Sequence, residues 1–271
     1  MDIINDLQDL RYLNWSKVRH SSGTAGTLLK AEELVKGNKY YYKLSMFEDG
    51  VGVVGHECVN EIIVDRLLTA LNIEHLDYSL IHALIVFNNK EYETYLCKSR
   101  DFKHKGEAKT AFDAYYLSHR FPDESALDFA IRNGWSYYVY KMFVVDYLIL
   151  NRDRHGANIE VLKNQDGEVR LAPLFDHGLS LLYDCNNPSA LKKNDYLADK
   201  KVVNFIGTGY TLENLSLIPK DMMRELPQNK EEILDNIFKG MDNIISSELI
   251  KAIKRMISER WKFYEILRDK K

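Results

Sequence analysis

The sequence predicts an α+β protein of two lobes, a small β-rich N-terminal lobe with one main helix and a larger, mostly helical C-terminal lobe. Three observations lead there. Before residue 99, runs rich in Val, Ile, Leu and Tyr alternate with Gly, Asn and Asp turns, and one helical stretch lies among them. From Thr110 onward apolar residues recur mainly at helical spacing. Within that helical part, one hairpin is signalled by Ile159–Leu162 and Val169–Ala172 around Asn164-Gln165-Asp166-Gly167. The expected division is residues 1–98 and 99–271.

Composition narrows the function classes. A chain of 271 residues can bury a sizeable core. A net charge of −3 gives no general reason to expect nucleic acid or a membrane surface as partner. Apolar runs fall short of the roughly 20 residues of a membrane helix, and Asp146 interrupts the longest candidate near the polar loop. The first residues lack the basic and apolar regions of a signal peptide. Cys58, Cys97 and Cys185 are odd in number and widely spaced, which fits reduced, buried thiols rather than a disulfide framework or a zinc site. A cytoplasmic location is expected, with secretion as an effector left open.

Residues 1–18 carry scattered apolar positions (Leu7, Leu10, Tyr12, Leu13, Trp15) and read as a leader packed on the first sheet. Next comes a loop containing Ser21, Ser22, Gly23, Thr24, Gly26 and Thr27. Such a loop can offer N–H groups and hydroxyls to a polyphosphate, although a plain hairpin turn has the same composition. In the strand Lys39–Ser45, alternation puts Lys39, Tyr41 and Lys43 on one face. Lys43 lies deepest and is the candidate to meet phosphates; most lysines are simply solvated. The stretch Gly55–Leu71 reads as a helix with Val59, Ile63, Arg66 or Leu67, and Ala70 along one stripe. Glu57 and Glu61 stand one turn apart on it, and either could brace Lys43, with Glu61 preferred. Tyr78–Ala83 and Tyr92–Leu96 read as strands. Backbone groups of Cys97, Lys98 and Ser99, at the connection to the second lobe, are expected to read an adenine ring.

In the second lobe, Ala111–His119 and Glu124–Asn133 read as short helices. Trp135–Leu150 reads as a long core helix with Tyr138, Met142, Val145 and Ile149 facing inward. Residues 184–209, with Asn186-Asn187-Pro188 and two Lys-Lys pairs, read as a mobile surface loop. Three helices, Lys230–Phe238, Met241–Ile253 and Ser258–Leu267, complete the lobe.

The chemistry is concentrated in residues 142–178. Asp153 and Asn158 have four residues between them, on a polar loop after an apolar run, and Phe175-Asp176-His177-Gly178 follows a second apolar run. Phosphoryl transfer needs positioning and charge neutralisation. One carboxylate would orient the incoming hydroxyl, while a second carboxylate and an amide oxygen would hold Mg²⁺, which prefers hard oxygen ligands. Either short pattern alone is an ordinary Asp/Asn turn. Two in order, joined by a hairpin that brings Asn158 and Asp176 together, favour the functional reading.

With Asn151-Arg152-Asp153-Arg154-His155-Gly156-Ala157-Asn158 and Leu174-Phe175-Asp176 in view, the chain resembles the HipA-like bacterial serine/threonine kinases. These share the protein-kinase fold and the Asp-Arg-His loop of the phosphatidylinositol 3/4-kinases. Asn60-Glu61 ahead of Arg66-Leu67, Tyr42-Lys43-Leu44 and the Ser-Ser-Gly-Thr-Ala-Gly loop support the resemblance. Its length is similar to the compact, CtkA-like members without the N-terminal HipA subdomain. The resemblance implies ATP and Mg²⁺ as cofactors, Asp153 as catalytic base, and Asn158 and Asp176 as metal ligands. It implies Lys43 on phosphate, Ser21 to Thr27 and His155 at the nucleotide, and Ser21, Ser22 and Thr24 as autophosphorylation candidates. The implied partners are a protein substrate with a Ser/Thr acceptor and, if the chain is a toxin, an antitoxin. Two rival functions remain on the same fold: a small-molecule phosphotransferase, and a nucleotide-binding pseudokinase.

Overall fold

The computed structural model describes residues 2–18, 25–185 and 188–271. Ser21, Ser22, Gly23 and Thr24 lie outside the described residues. The N-terminal part comprises β1 (Ile3–Asp9), β2 (Ser16–Val18), β3 (Ala25–Val35), β4 (Asn38–Lys43), β5 (Phe47–Glu48), β6 (Gly52–Val53), α1 (Glu57–Ala70), β7 (Tyr78–Phe87) and β8 (Lys90–Arg100). Six of these strands form one sheet in the order β1-β7-β8-β4-β3-β2. The sheet is antiparallel except at β1, which runs parallel to β7. The leader therefore contributes a strand of its own, and its continuation buries Leu10 and Leu13. The turns fit their residues. Lys36-Gly37 joins β3 to β4 and Asn88-Asn89 joins β7 to β8, all four with positive φ as tight two-residue hairpins require.

Strand alternation covers both faces of this sheet. Ile81, Ala83, Ile85 and Leu96 pack with Leu29, Tyr42, Leu44, Leu10 and Leu13 in an outer cluster. Leu80 and Cys97 join α1 in the main core, which continues into the helical lobe. Because α1 is covered from both directions, ten of its 14 residues are buried. The expected single stripe is corrected accordingly: Ala70 is exposed, and Ile62, Val64 and Leu68 are buried instead.

The C-terminal part comprises β9 (Ala108–Ala111), α2 (Phe112–His119), α3 (Ala126–Arg132), α4 (Ser136–Ile149), β10 (Asp153–Arg154), a 3₁₀ turn at Gly156–Asn158, β11 (Glu160–Lys163), β12 (Val169–Leu171), α5 (Pro188–Lys193), β13 (Val203–Asn204), α6 (Thr211–Ser216), α7 (Lys230–Asn236) and α8 (Ser247–Lys270). The expected hairpin is present in the register Val161↔Leu171 and Lys163↔Val169, and β9 adds a third strand on the free side of β11.

Two expectations are corrected here. Residues 184–209 are not simply a surface loop. They contain α5 and also β13, which pairs with β10 through Asp153↔Val203 and Arg154↔Asn204. The two last helices are one 24-residue helix, α8, started by Ser246, whose Oγ accepts the Leu249 N–H at 3.2 Å. Its apolar positions Ile253, Met256, Ile257, Trp261 and Tyr264 run on without a break, and all are fully buried. Arg260 of α8 is also buried. It donates to Tyr147 O at 2.6 Å, Thr211 Oγ1 at 3.0 Å and Tyr196 O at 3.1 Å, tying α4, α6 and the segment before β13 together. Among the described residues no helix is long and apolar enough to cross a membrane.

Trp261 is the largest side chain with no exposure. Trp261→Ala is expected to cost about 3–5 kcal/mol, read as a lower urea midpoint with little change in slope.

Candidate active site

Helix α4 is apolar all round and ten of its 14 residues are buried, so it is a rigid support. It ends at Leu150, whose φ of +50° turns the chain out of the helix. One turn earlier, buried Asp146 accepts from Asn151 Nδ2 at 2.9 Å and from Arg154 Nε at 3.1 Å and Nη2 at 2.8 Å. The remaining arm of Arg154, Nη1, donates to Phe175 O at 2.9 Å and Asn158 O at 3.2 Å. Burial disfavours the guanidinium charge, but the Asp146 carboxylate more than offsets this, and Arg154 stays protonated. One buried side chain thus holds the backbone of Asn158 and of the residue before Asp176. The sequence reading treated Asp146 only as an interruption and left Arg154 without a role. Their signal was a carboxylate in an otherwise apolar helix with an arginine shortly after.

The loop carries its groups in fixed order. Asp153 N–H donates to Asn151 Oδ1 at 3.2 Å, and Asn158 Nδ2 donates to Asp153 O at 2.8 Å. That bond defines which end of the Asn158 amide is nitrogen and which is the oxygen donor. His155 Nδ1 accepts the Ala157 N–H at 3.1 Å, so its ring caps the 3₁₀ turn, with Nε2 3.7 Å from Asp153 Oδ2.

The second segment is gripped by α1. Asp176 adopts φ +60° and its N–H donates to Tyr78 Oη at 3.3 Å. His177 N–H donates to Glu61 Oε2 at 2.9 Å, and Asn60 Nδ2 donates to Gly178 O at 2.9 Å and Ser180 O at 2.8 Å. A Cβ on Gly178 would stand 3.2 Å from Glu57 Cβ, a tight contact, so glycine eases the close approach of loop to helix. The His177 ring is buried, and desolvation together with the Arg154 charge holds its pKa well below the ordinary value, so it is neutral.

Lys43 joins the two halves. Its Nζ lies 2.7 Å from Glu61 Oε1 and 2.6 Å from Asp176 Oδ1. Desolvation alone would lower its pKa, but Asp176 and Glu61 raise it well above the ordinary lysine value. Glu57 is used elsewhere: its Oε2 accepts the Met46 N–H at 2.9 Å, just beyond β4.

Two adjoining cavities result. The larger, about 320 Å³, has apolar walls that include Ala31, Tyr41, Leu76, Phe102 and Phe175. The smaller, about 40 Å³, is lined by Lys30, Lys43, Asp153, Asn158, Asp176 and Gly178 among others. Asp153, Asn158, Asp176 and Lys43 are therefore brought together. Cys97, Lys98 and Ser99 require a correction. They lie in β8 between β4 and β7, paired on both sides, so the ladder occupies the backbone groups expected to read a ring. Cys97 and Ser99 line the larger cavity, whereas Lys98 places Nζ over the Tyr40 ring, 4.3 Å from its centroid. Gly26 and Thr27 belong to β3.

No family model matches the chain, and no curated protein matches it. Among solved structures it is similar to the Helicobacter pylori proinflammatory kinase CtkA, with a TM-score of 0.61 and 16% identity over 94% of this chain and 93% of that chain. It is also aligned with HipA of Shewanella oneidensis, solved with HipB and operator DNA, with a TM-score of 0.47 and 14% identity over 94% of this chain and 68% of that one. The first likeness shows the fold: this chain has the bilobal, kinase-like α+β architecture.

Asp146→Ala would leave the Arg154 guanidinium buried without its carboxylate. A loss of about 3–5 kcal/mol is expected in chemical denaturation, and adding Arg154→Met should recover much of it.

Proposed function

We propose that the chain is an ATP- and Mg²⁺-dependent protein kinase acting on serine or threonine. One observation carries this reading. Four side chains from three distant segments, Lys43, Asp153, Asn158 and Asp176, surround one small cavity that adjoins a larger cleft with both apolar and charged walls. The fold it shares with CtkA supports the same reading. In this scheme the nucleotide lies between an N-terminal lobe, 1–98, and a C-terminal lobe, 99–271.

The donor set fits magnesium, since the Asp176 carboxylate and the Asn158 amide oxygen are both hard ligands. When bound, the ion would neutralise charge on the phosphates. The remaining work falls to the chain itself. Asp153 orients the acceptor hydroxyl and takes its proton as the new oxygen–phosphorus bond forms and the bond from the γ-phosphorus to the bridging oxygen breaks, releasing ADP. Lys43, braced by Glu61, sets an ammonium against the phosphate oxygens. Arg154 and α1 keep the two loops in register, which matters because a displacement of about 1 Å can cost a hundredfold in rate. A polypeptide acceptor is favoured by β13, an extended segment beside Asp153 with Val203 half exposed. Ser21, Ser22 and Thr24 are acceptors to map in an autophosphorylation assay.

The test is transfer of labelled phosphate from ATP to the chain itself and to a protein mixture. Asp153→Asn is expected to lower transfer by about a hundredfold or more with the circular dichroism spectrum unchanged. Asp176→Asn is expected to abolish both transfer and the Mg²⁺ dependence of nucleotide binding. Transfer at the wild-type rate by either folded variant would overturn the reading.

A further inference from the structure

The two cavities meet at three side chains that line both of them: Lys30, Lys43 and Asp176. Lys43 and Asp176 already have roles. Lys30 is the third, and its position is unusual. It is the cross-strand partner of Lys43 in the β3–β4 ladder. Partners directly opposite in a ladder project from the same face, and like charges placed so destabilise a sheet. Here that face opens on the cleft, and Lys30 is half-buried. Both lysines line both cavities, so a polyanion that crosses from one cavity to the other passes between or beside them.

The local charges point the same way. Lys43 is in contact with two carboxylates, Glu61 and Asp176, and Asp153 lines the small cavity with Asp176. The charged residues that line the small cavity are Lys30, Lys43, Asp153 and Asp176, so without Lys30 a chain of phosphates crossing to Asp153 would meet two carboxylates and one ammonium already paired with Asp176 and Glu61. That balance would repel a polyphosphate. Lys30 restores a cation at the crossing.

We propose that Lys30 is a second phosphate-binding lysine, which holds the polyphosphate as it passes between the two cavities. This rests on the nucleotide reading above. Its test is calorimetric titration of the full chain, with Mg²⁺, against adenosine, ADP and a β,γ-imido analogue of ATP. Lys30→Gln is expected to weaken ADP and the analogue by about tenfold or more, as for a lost hydrogen bond to a charged group. It should leave adenosine affinity unchanged, and Lys30→Arg should retain most of the phosphate-dependent affinity. A purely structural lysine would lower all three affinities in proportion, and that result overturns the proposal. Equal binding of the analogue by Lys30→Gln and the wild type also overturns it and leaves the nucleotide reading standing. A wild-type chain that binds none of the three probes overturns the nucleotide reading itself.

Discussion

A guanidinium buried beneath the loop of residues 151–158 is the constraint on which the rest of the site depends. Arg154 and Asp146 are each almost fully shielded from solvent. Isolated, either charge would be expensive to bury, so each requires the other together with hydrogen bonds to its remaining atoms. Those bonds run to Asn151, Asn158 and Phe175, which lie in the two loops whose side chains surround the small cavity. Meeting the demands of one buried cation thus sets the spacing of Asn158 and Asp176. The relation also explains why α4 is so thoroughly apolar. A carboxylate on a loosely packed helix could hydrate and would hold nothing in place.

A second constraint comes from the other side of the cleft. Asn60 and Glu61 of α1 bind backbone groups of residues 177, 178 and 180, and Glu61 also holds Lys43. The helix therefore couples the strand lysine to the Asp-His-Gly loop through contacts that are mostly to backbone. Gly178 eases the approach, since a Cβ there would stand 3.2 Å from Glu57 Cβ. With α4 below and α1 behind, residues 175–178 are held from two directions, which stabilises the left-handed backbone at Asp176.

Much of the architecture was legible from local pattern. The β-rich first lobe, the helix after β4, the apolar helix before the loop and the hairpin between Asn158 and Asp176 are all set by periodicity and turn residues. The misreadings share one cause. The break expected between Ile253 and Ser258 is absent because the buried stripe runs on through it at Met256 and Ile257. The surface loop expected at 184–209 ignored a strand that exists only because β10 is there to pair with it. Cys97, Lys98 and Ser99 were assigned by their place before a lobe connection, and nothing local reveals that β4 and β7 flank them on both sides.

The linear order of residues was enough to establish which groups are available: the acid and the amide on a loop after one apolar run, the second acid after another, with a lysine upstream. Spacing along the chain carries that information because turns and ladders are local. Only the tertiary structure decided that Glu61 rather than Glu57 meets Lys43, that Arg154 and Asp146 form the buried support, and that Lys30 stands beside Lys43 at the junction of two cavities. Those outcomes depend on distances between segments far apart in sequence and on burial, which turns an ordinary charge into one that must find a partner.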